Sequence, residues 1–140
     1  MWPTTFEKRL ESWTQLRAYA TSADIDSALH AINTWWHQTP WQAYYLHWDD
    51  QLSWPDPWQL LNDNVYCGLA RALGILYTIT MIDRTDLQDA RLVEIDSDNL
   101  VLVSQEKYIL NWSQDTVLNT NQAANIRRTL QQHQIKQQYN

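Results

Sequence analysis

The chain has 140 residues, of which 44% are hydrophobic and 19% are charged, and its formal net charge is −6 at pH 7. These values indicate a single folded domain, 1–140, and exclude a disordered chain. The acidic balance argues against general nucleic-acid binding, which requires clustered Lys and Arg. The two glycines are too few for a glycine-rich phosphate loop, and the single cysteine, Cys67, excludes a disulfide framework.

The N-terminal part of the chain is predicted to be helical between residues 4 and 82. Thr4 and Glu7 have the spacing of a capping box at the start of the first helix. Asp24 is a good N-cap for a second helix, and Asp56 followed by Pro57 is typical of a third helix start. These signals rest on local hydrogen-bonding chemistry and therefore predict where helices begin.

The longest apolar stretch, Val65 to Ile82, predicts a buried helix that Asn64 would cap. Arg71 and two threonines interrupt its apolar character, so we interpret it as a core helix and expect no membrane association. The N-terminus turns polar too early for a secretory signal. We therefore expect a protein that is made in a reducing cytoplasm.

The rest of the chain changes in character and predicts strands. Residues 91–96, 100–103 and 107–112 are apolar and strand-like, with a turn at 97–99, so a small three-stranded antiparallel sheet is expected over 91–112. Residues 120–138 are polar and rich in glutamine and are predicted to form a C-terminal helix. Helices followed by a sheet predict an α+β fold.

Tryptophan is unusually frequent, with nine in the chain and six of them between residues 35 and 58. Large aromatics either fill a core or form contacts with a partner protein, and the sequence favours the two interpretations about equally. The basic residues of the predicted C-terminal helix suggest a second contact surface. The candidate interface residues are Trp35, Trp36, Trp41, Tyr44, Tyr45, Trp48, Trp54, Arg127 and Arg128.

Cys67 is the one residue that suggests covalent catalysis. It would lie in the first turn of the long helix, where the helix dipole favours a thiolate. A cysteine on a buried helix followed by a small sheet resembles, over residues 54–112, the layout of papain-like and transglutaminase-like enzymes. Those families place a His on a strand after the Cys, and this chain has no His between Cys67 and Trp112. We therefore expect Cys67 to be buried and inert, and we assign no catalytic residue.

Metal and cofactor sites are not expected. His30 and His37 are seven residues apart, which is wider than the usual spacing of zinc ligands. The segment 96–99 begins like a calcium loop, but Val101 and Lys107 occupy the positions that require Gly and Glu. A hairpin turn is the simpler interpretation of this segment.

Three segments resemble a small protein family of T4-like contractile-tailed phages, including phages of cyanobacteria. They are Trp54-Pro55-Asp56-Pro57-Trp58-Gln59-Leu60-Leu61, Tyr66-Cys67-Gly68-Leu69-Ala70-Arg71-Ala72-Leu73-Gly74 and Tyr108-Ile109-Leu110-Asn111-Trp112. The resemblance implies a virion component of the tail, baseplate or neck. It would be assembled in the host cytoplasm with other phage structural proteins, in a multi-subunit assembly.

Three hypotheses on function follow from the sequence. The first is a non-enzymatic structural or assembly protein of a phage particle that acts through aromatic protein–protein contacts. The second is a cysteine-dependent hydrolase or acyltransferase of papain or transglutaminase type. The third is a phage protein that binds a host protein in the cytoplasm.

Overall fold

The computed structural model describes residues 2–43, 46–63, 65–112, 117–119 and 126–138. Helices occupy the first part of the chain: α1 (Phe6–Ser22), α2 (Ile25–His37), α3 (Pro57–Asp63) and α4 (Gly68–Ile82). Strands follow: β1 (Arg91–Ile95), β2 (Asp98–Val103), β3 (Tyr108–Leu110), β4 (Leu118–Asn119) and β5 (Ile126–Gln131), before a short α5 (Gln132–Ile135). The helices pack on one face of the antiparallel sheet, so the predicted α+β class is confirmed.

Two helices begin where their capping residues predicted. Asp24 accepts a hydrogen bond from the Ser27 N–H at 3.1 Å, and this bond holds the pKa of Asp24 below its ordinary value. Asp56 accepts from the Gln59 N–H at 2.8 Å, while its own N–H donates to the Gln59 side chain at 3.1 Å. The reciprocal pair satisfies two backbone donors and begins α3 at Pro57.

The starts of α1 and α4 differ from the predictions by one and three residues. Thr5, and not Thr4, caps α1, because its hydroxyl accepts from the Lys8 N–H at 3.2 Å. The predicted helix over 65–82 begins only at Gly68, because Tyr66 forms a short parallel bridge with Trp41. The Tyr66 N–H donates to the carbonyl of residue 40, and its own carbonyl accepts from residue 42, which holds this residue extended. Asn64, the predicted cap, lies outside the described residues.

A hydroxyl group organises the centre of the helical layer. Thr78 on α4 accepts the indole N–H of Trp13 from α1 and that of Trp36 from α2, each at 2.9 Å. The Thr78 hydroxyl itself donates to the carbonyl of Gly74 at 2.8 Å. Both indoles are buried, so their polar N–H groups are satisfied by this one side chain. Gly74 also gives the Trp36 ring room to lie against the backbone of α4.

The sheet has the strand order β4-β3-β2-β1-β5. Its register aligns Leu130, Leu92, Val101 and Leu110 across four neighbouring strands. These four side chains belong to the main core with the helices, whereas Val93 and its neighbours on the opposite face form a separate small apolar cluster. Alternation with a period of two residues thus places α4 against one face of the sheet.

The β1–β2 connection is a two-residue turn at Asp96 and Ser97, both in the left-handed region with φ of 48° and 71°. This is the hairpin that was predicted, although β2 begins at Asp98, inside the segment that we expected to be the turn. The tight turn brings Asn99 to the end of the sheet that lies beside the start of α4.

The predicted C-terminal helix over 120–138 is wrong for residues 126–131, which form β5 and pair antiparallel with β1. Residues 120–125 lie outside the described residues. The thin apolar stripe of this segment offers a helix little to bury. Pairing with β1, in contrast, places Leu130 in the core and supplies backbone hydrogen bonds along the strand. Helix is retained at α5 and at the 3-10 turn Lys136–Gln138, and the buried Gln132 side chain donates to the Leu87 carbonyl at 2.6 Å. With β4 and β5, the sheet gains two strands over the three predicted.

Candidate functional site

Cys67 lies at the N-cap of α4, one position before the first turn in which the sequence placed it. Its backbone is extended, and its carbonyl accepts from the Arg71 N–H at 3.0 Å, which begins the helix. The sulfur accepts the Leu46 N–H at 3.4 Å, and the residue is 5% exposed. The segment that carries Leu46 therefore covers the thiol.

An open cavity of about 790 Å³ lies beside this cysteine, and we call it the Cys67 cleft. Its lining combines Trp41, Ala43, residues 46–49, the start of α4, the tip of the β1–β2 hairpin and the residues that follow β3. The volume is within the range of ligand-binding pockets, and the lining mixes aromatic, charged and amide side chains. Two of the three exposed tryptophans in the described part of the chain, Trp41 at 60% and Trp112 at 55%, line it.

Two asparagines build the floor of the Cys67 cleft. The Asn111 side-chain amide donates to the Gly68 carbonyl at 3.0 Å and to the Asn99 carbonyl at 2.7 Å. The Asn99 side-chain oxygen accepts the indole N–H of Trp48 at 2.8 Å. Asn111 adopts a left-handed backbone with φ of 67°, a conformation that asparagine tolerates well. These bonds join the hairpin, the end of β3 and the start of α4 into one rigid surface.

His37 and His47 both line the Cys67 cleft, and both precede Cys67 in the chain. His37 ends α2, where its Nδ1 lies 2.7 Å from the Asn33 carbonyl. Within the described ranges, no imidazole is hydrogen-bonded to the cysteine sulfur, whose one bond comes from Leu46. The strands that follow α4 present Asn99 and Asn111 to the cleft instead of a histidine. The geometry therefore brings imidazoles to the cleft of the thiol but does not pair them with it.

Charged groups around the Cys67 cleft are mostly engaged within the chain. Arg128 on β5 pairs with Asp49 at 3.0 Å and lies 3.6 Å from Glu94 on β1. Arg71 donates to the hydroxyl and carbonyl of Thr39 at 2.8 and 2.7 Å. Its partial burial lowers the pKa of Arg71 from the ordinary value, while the neighbouring Cys67 acts in the opposite direction. Its guanidinium lies over the Trp41 ring, 5.0 Å from the centroid.

The structure divides the predicted interface residues. Trp35, Trp36, Trp48 and Trp54 are buried in this chain's own core, which corrects their assignment to a contact surface. The indoles of Trp35 and Trp36 pack edge-to-face, as do those of Trp48 and Trp54, and each of the four N–H groups has a partner within the chain. Arg128 forms intramolecular ion pairs and is half-buried. Among the predicted interface residues whose side chains the structure describes, Trp41 is exposed. Tyr44, Tyr45 and the side chain of Arg127 lie outside the described residues.

Sequence reasoning missed Trp112, Asn99 and Asn111 as site residues. Trp112 had a usable signal, because a large aromatic directly follows a short apolar strand and a residue type that favours the left-handed conformation. The two asparagines had none, because they become neighbours only when β2 and β3 pair next to α4.

Comparisons with protein-family models, with curated proteins and with solved structures found no match to this chain. Within the described residues, no helix is both long and apolar enough to cross a membrane. In the same part of the chain, no group of three or more His, Cys, Asp or Glu side chains is arranged to hold a metal ion.

Proposed function

We propose that the protein is a non-enzymatic structural or assembly component of a phage particle, in the tail, baseplate or neck. It binds other phage structural proteins at the Cys67 cleft and is part of a multi-subunit assembly. The observation that carries this proposal is the exposure of Trp41 and Trp112, which line one cleft while most of the other described indoles are buried. The resemblance of three sequence segments to a phage family supports the choice of partner.

Exposed indoles suit this role for physical reasons. A tryptophan that enters a well-packed partner surface contributes about 2 kcal/mol or more to binding, and it loses little side-chain entropy. The two asparagines hold the cleft floor in a fixed geometry before any partner arrives, which lowers the cost of association. The net charge of −6 disfavours a nucleic-acid partner.

We expect Trp41→Ala and Trp112→Ala to leave the fold intact and to weaken incorporation into particles. Both side chains are exposed, so their removal opens no cavity in the core. The matched control is Trp58→Ala, which removes an indole that is 40% exposed and does not line the cleft. The measurements are the thermal melting of each variant and its copy number in purified particles, determined by mass spectrometry.

Two outcomes would contradict the proposal. If the wild-type protein is absent from purified particles and is recovered on a host protein, it is a cytoplasmic binder of that host protein. If Trp41→Ala and Trp112→Ala are incorporated at the level of the wild type and of the Trp58→Ala control, the Cys67 cleft is not the contact surface.

A cysteine-dependent hydrolase or acyltransferase is the second candidate. The observation that favours it is the position of Cys67 at the start of α4, in a cleft that His37 and His47 also line. The burial of the sulfur under Leu46 and the absence of a described thiol–imidazole hydrogen bond favour the first candidate.

Thiol labelling separates the two candidates. We expect iodoacetamide at neutral pH to react slowly with Cys67 in the native protein, because the residue is only 5% exposed. The same thiol should react at the rate of a free cysteine peptide once the protein is unfolded in denaturant. Native labelling that is faster than that of the free peptide would demonstrate an activated thiol and support the enzyme.

A further inference from the structure

We infer that the Cys67 cleft binds an arginine or lysine side chain presented by its partner protein, with Trp112 and Trp41 as aromatic contacts and Asp98 as the counter-ion. This inference rests on the proposed function, because it names the chemistry of the partner at the same surface. Geometry, charge and the state of the two indoles carry it.

The groups that would contact the cation line one cavity, which the start of α4 and the tip of the β1–β2 hairpin border. A Cβ atom built on Gly68 would lie 3.9 Å from the edge of the Trp41 ring and 3.8 Å from the Asn99 amide nitrogen. The Asn111 side chain donates to the Gly68 carbonyl, and Trp112 is the next residue in the chain. Asp98 directly precedes Asn99 at the hairpin tip and lines the same cleft. Aromatic residues and an acidic residue therefore line the same cavity.

The carboxylates and guanidinium groups that line the cleft have a net negative charge. Of its three carboxylates, Asp49 and Glu94 face Arg128 at 3.0 and 3.6 Å. Asp98 is exposed, and the described part of the chain provides no ion pair or side-chain hydrogen bond to it. The other guanidinium, Arg71, is already bonded to Thr39. A cationic group from outside the chain would complete the pairing.

The indoles are suited to a cation for a separate reason. Trp41 already holds a guanidinium, that of Arg71, 5.0 Å from its ring centroid, so a cation–π contact forms in this cleft. Trp112 has no ring or cation contact among the described residues and is 55% exposed. A partner guanidinium or ammonium that stacks on Trp112 reproduces at this ring the arrangement that the chain makes for itself at Trp41.

The test uses a pair of short peptides and the full chain. Acetyl-Gly-Arg-Gly-amide is titrated into ¹⁵N-labelled protein, and the indole N–H signals are followed by NMR after assignment with Trp41→Phe and Trp112→Phe. The control peptide carries citrulline, which has nearly the shape of arginine and no charge. We expect the arginine peptide to shift the Trp112 and Trp41 signals with at least about tenfold higher affinity than the citrulline peptide. We expect added NaCl to weaken this binding.

A pair of variants isolates the counter-ion. Asp98→Asn should reduce the affinity for the arginine peptide several-fold, while Asp96→Asn removes the same charge two residues away, outside the cleft lining, and should not. Equal affinities for the two peptides, or no shift of either cleft indole, would overturn the inference. If particle incorporation still depends on Trp41 and Trp112, such a result leaves the proposed function standing, because the partner then binds without a cation.

Discussion

Replacing Thr78 with valine is expected to destabilise the protein by about 3 to 5 kcal/mol. The substitution keeps the shape of the side chain and removes the one hydroxyl that accepts the indole N–H groups of Trp13 and Trp36. Each buried donor left without a partner costs about 1 to 3 kcal/mol. Both indoles are buried, so water does not replace the lost acceptor without opening the core.

Chemical denaturation measures this effect, with Thr78→Ser as the control. Serine keeps the hydroxyl and loses only a methyl group, so it should retain most of the stability that valine removes. A Thr78→Val protein within about 1 kcal/mol of the wild type would mean that the two indoles find other acceptors. The packing of α1 and α2 on α4 would then not depend on this residue.

Replacing Gly74 with alanine is expected to be far more damaging than the same change at Gly68. An added Cβ would lie 2.5 Å from three atoms of the Trp36 ring, well inside van der Waals contact. Helix propensity alone favours alanine over glycine by about 1 kcal/mol. The Trp36 ring is buried and fixed by its bond to Thr78, so the clash should dominate and cost about 3 kcal/mol or more.

The chain's other glycine provides the control. Gly68→Ala makes the same change at the first residue of α4, where the nearest atoms are at 3.8 and 3.9 Å, and it should alter stability little. The measurement is the shift of the denaturation midpoint of each variant. A Gly74→Ala protein as stable as Gly68→Ala would contradict this prediction, because the α2–α4 interface would then accommodate the added methyl group.

Local chemistry accounts for the parts of the fold that the sequence predicted well. Asp24 and Asp56 bond to N–H groups three residues away, so a short window of sequence contains the whole interaction. The late start of α4 follows from the pairing of Tyr66 with residues 40–42, more than twenty residues away. The strand at 126–131 follows from the free edge of β1, which is more distant still. Long-range pairing overrode local propensity in both cases.

The candidate site was predicted only in part, for the same reason. The sequence singled out Cys67 as a possible nucleophile and Trp41 as a candidate contact residue, and the structure places both at one cleft. Hydrophobicity did not distinguish exposed Trp41 from buried Trp48, because segment 41–55 has no regular period and both are indoles. Their difference in exposure depends on a hydrogen bond within the chain, since the Trp48 indole donates to Asn99 on β2.

The position of β5 has a consequence for how the protein is made. Because β5 pairs with β1, one edge of β1 stays unpaired until a segment more than thirty residues later has been synthesised. A nascent chain can assemble its helices on the ribosome, but the β1 edge stays open until residue 131 has left the exit tunnel. The β1 edge is therefore completed well after β1 itself is synthesised, and the unfinished chain has to be kept from pairing with its neighbours on the same polysome.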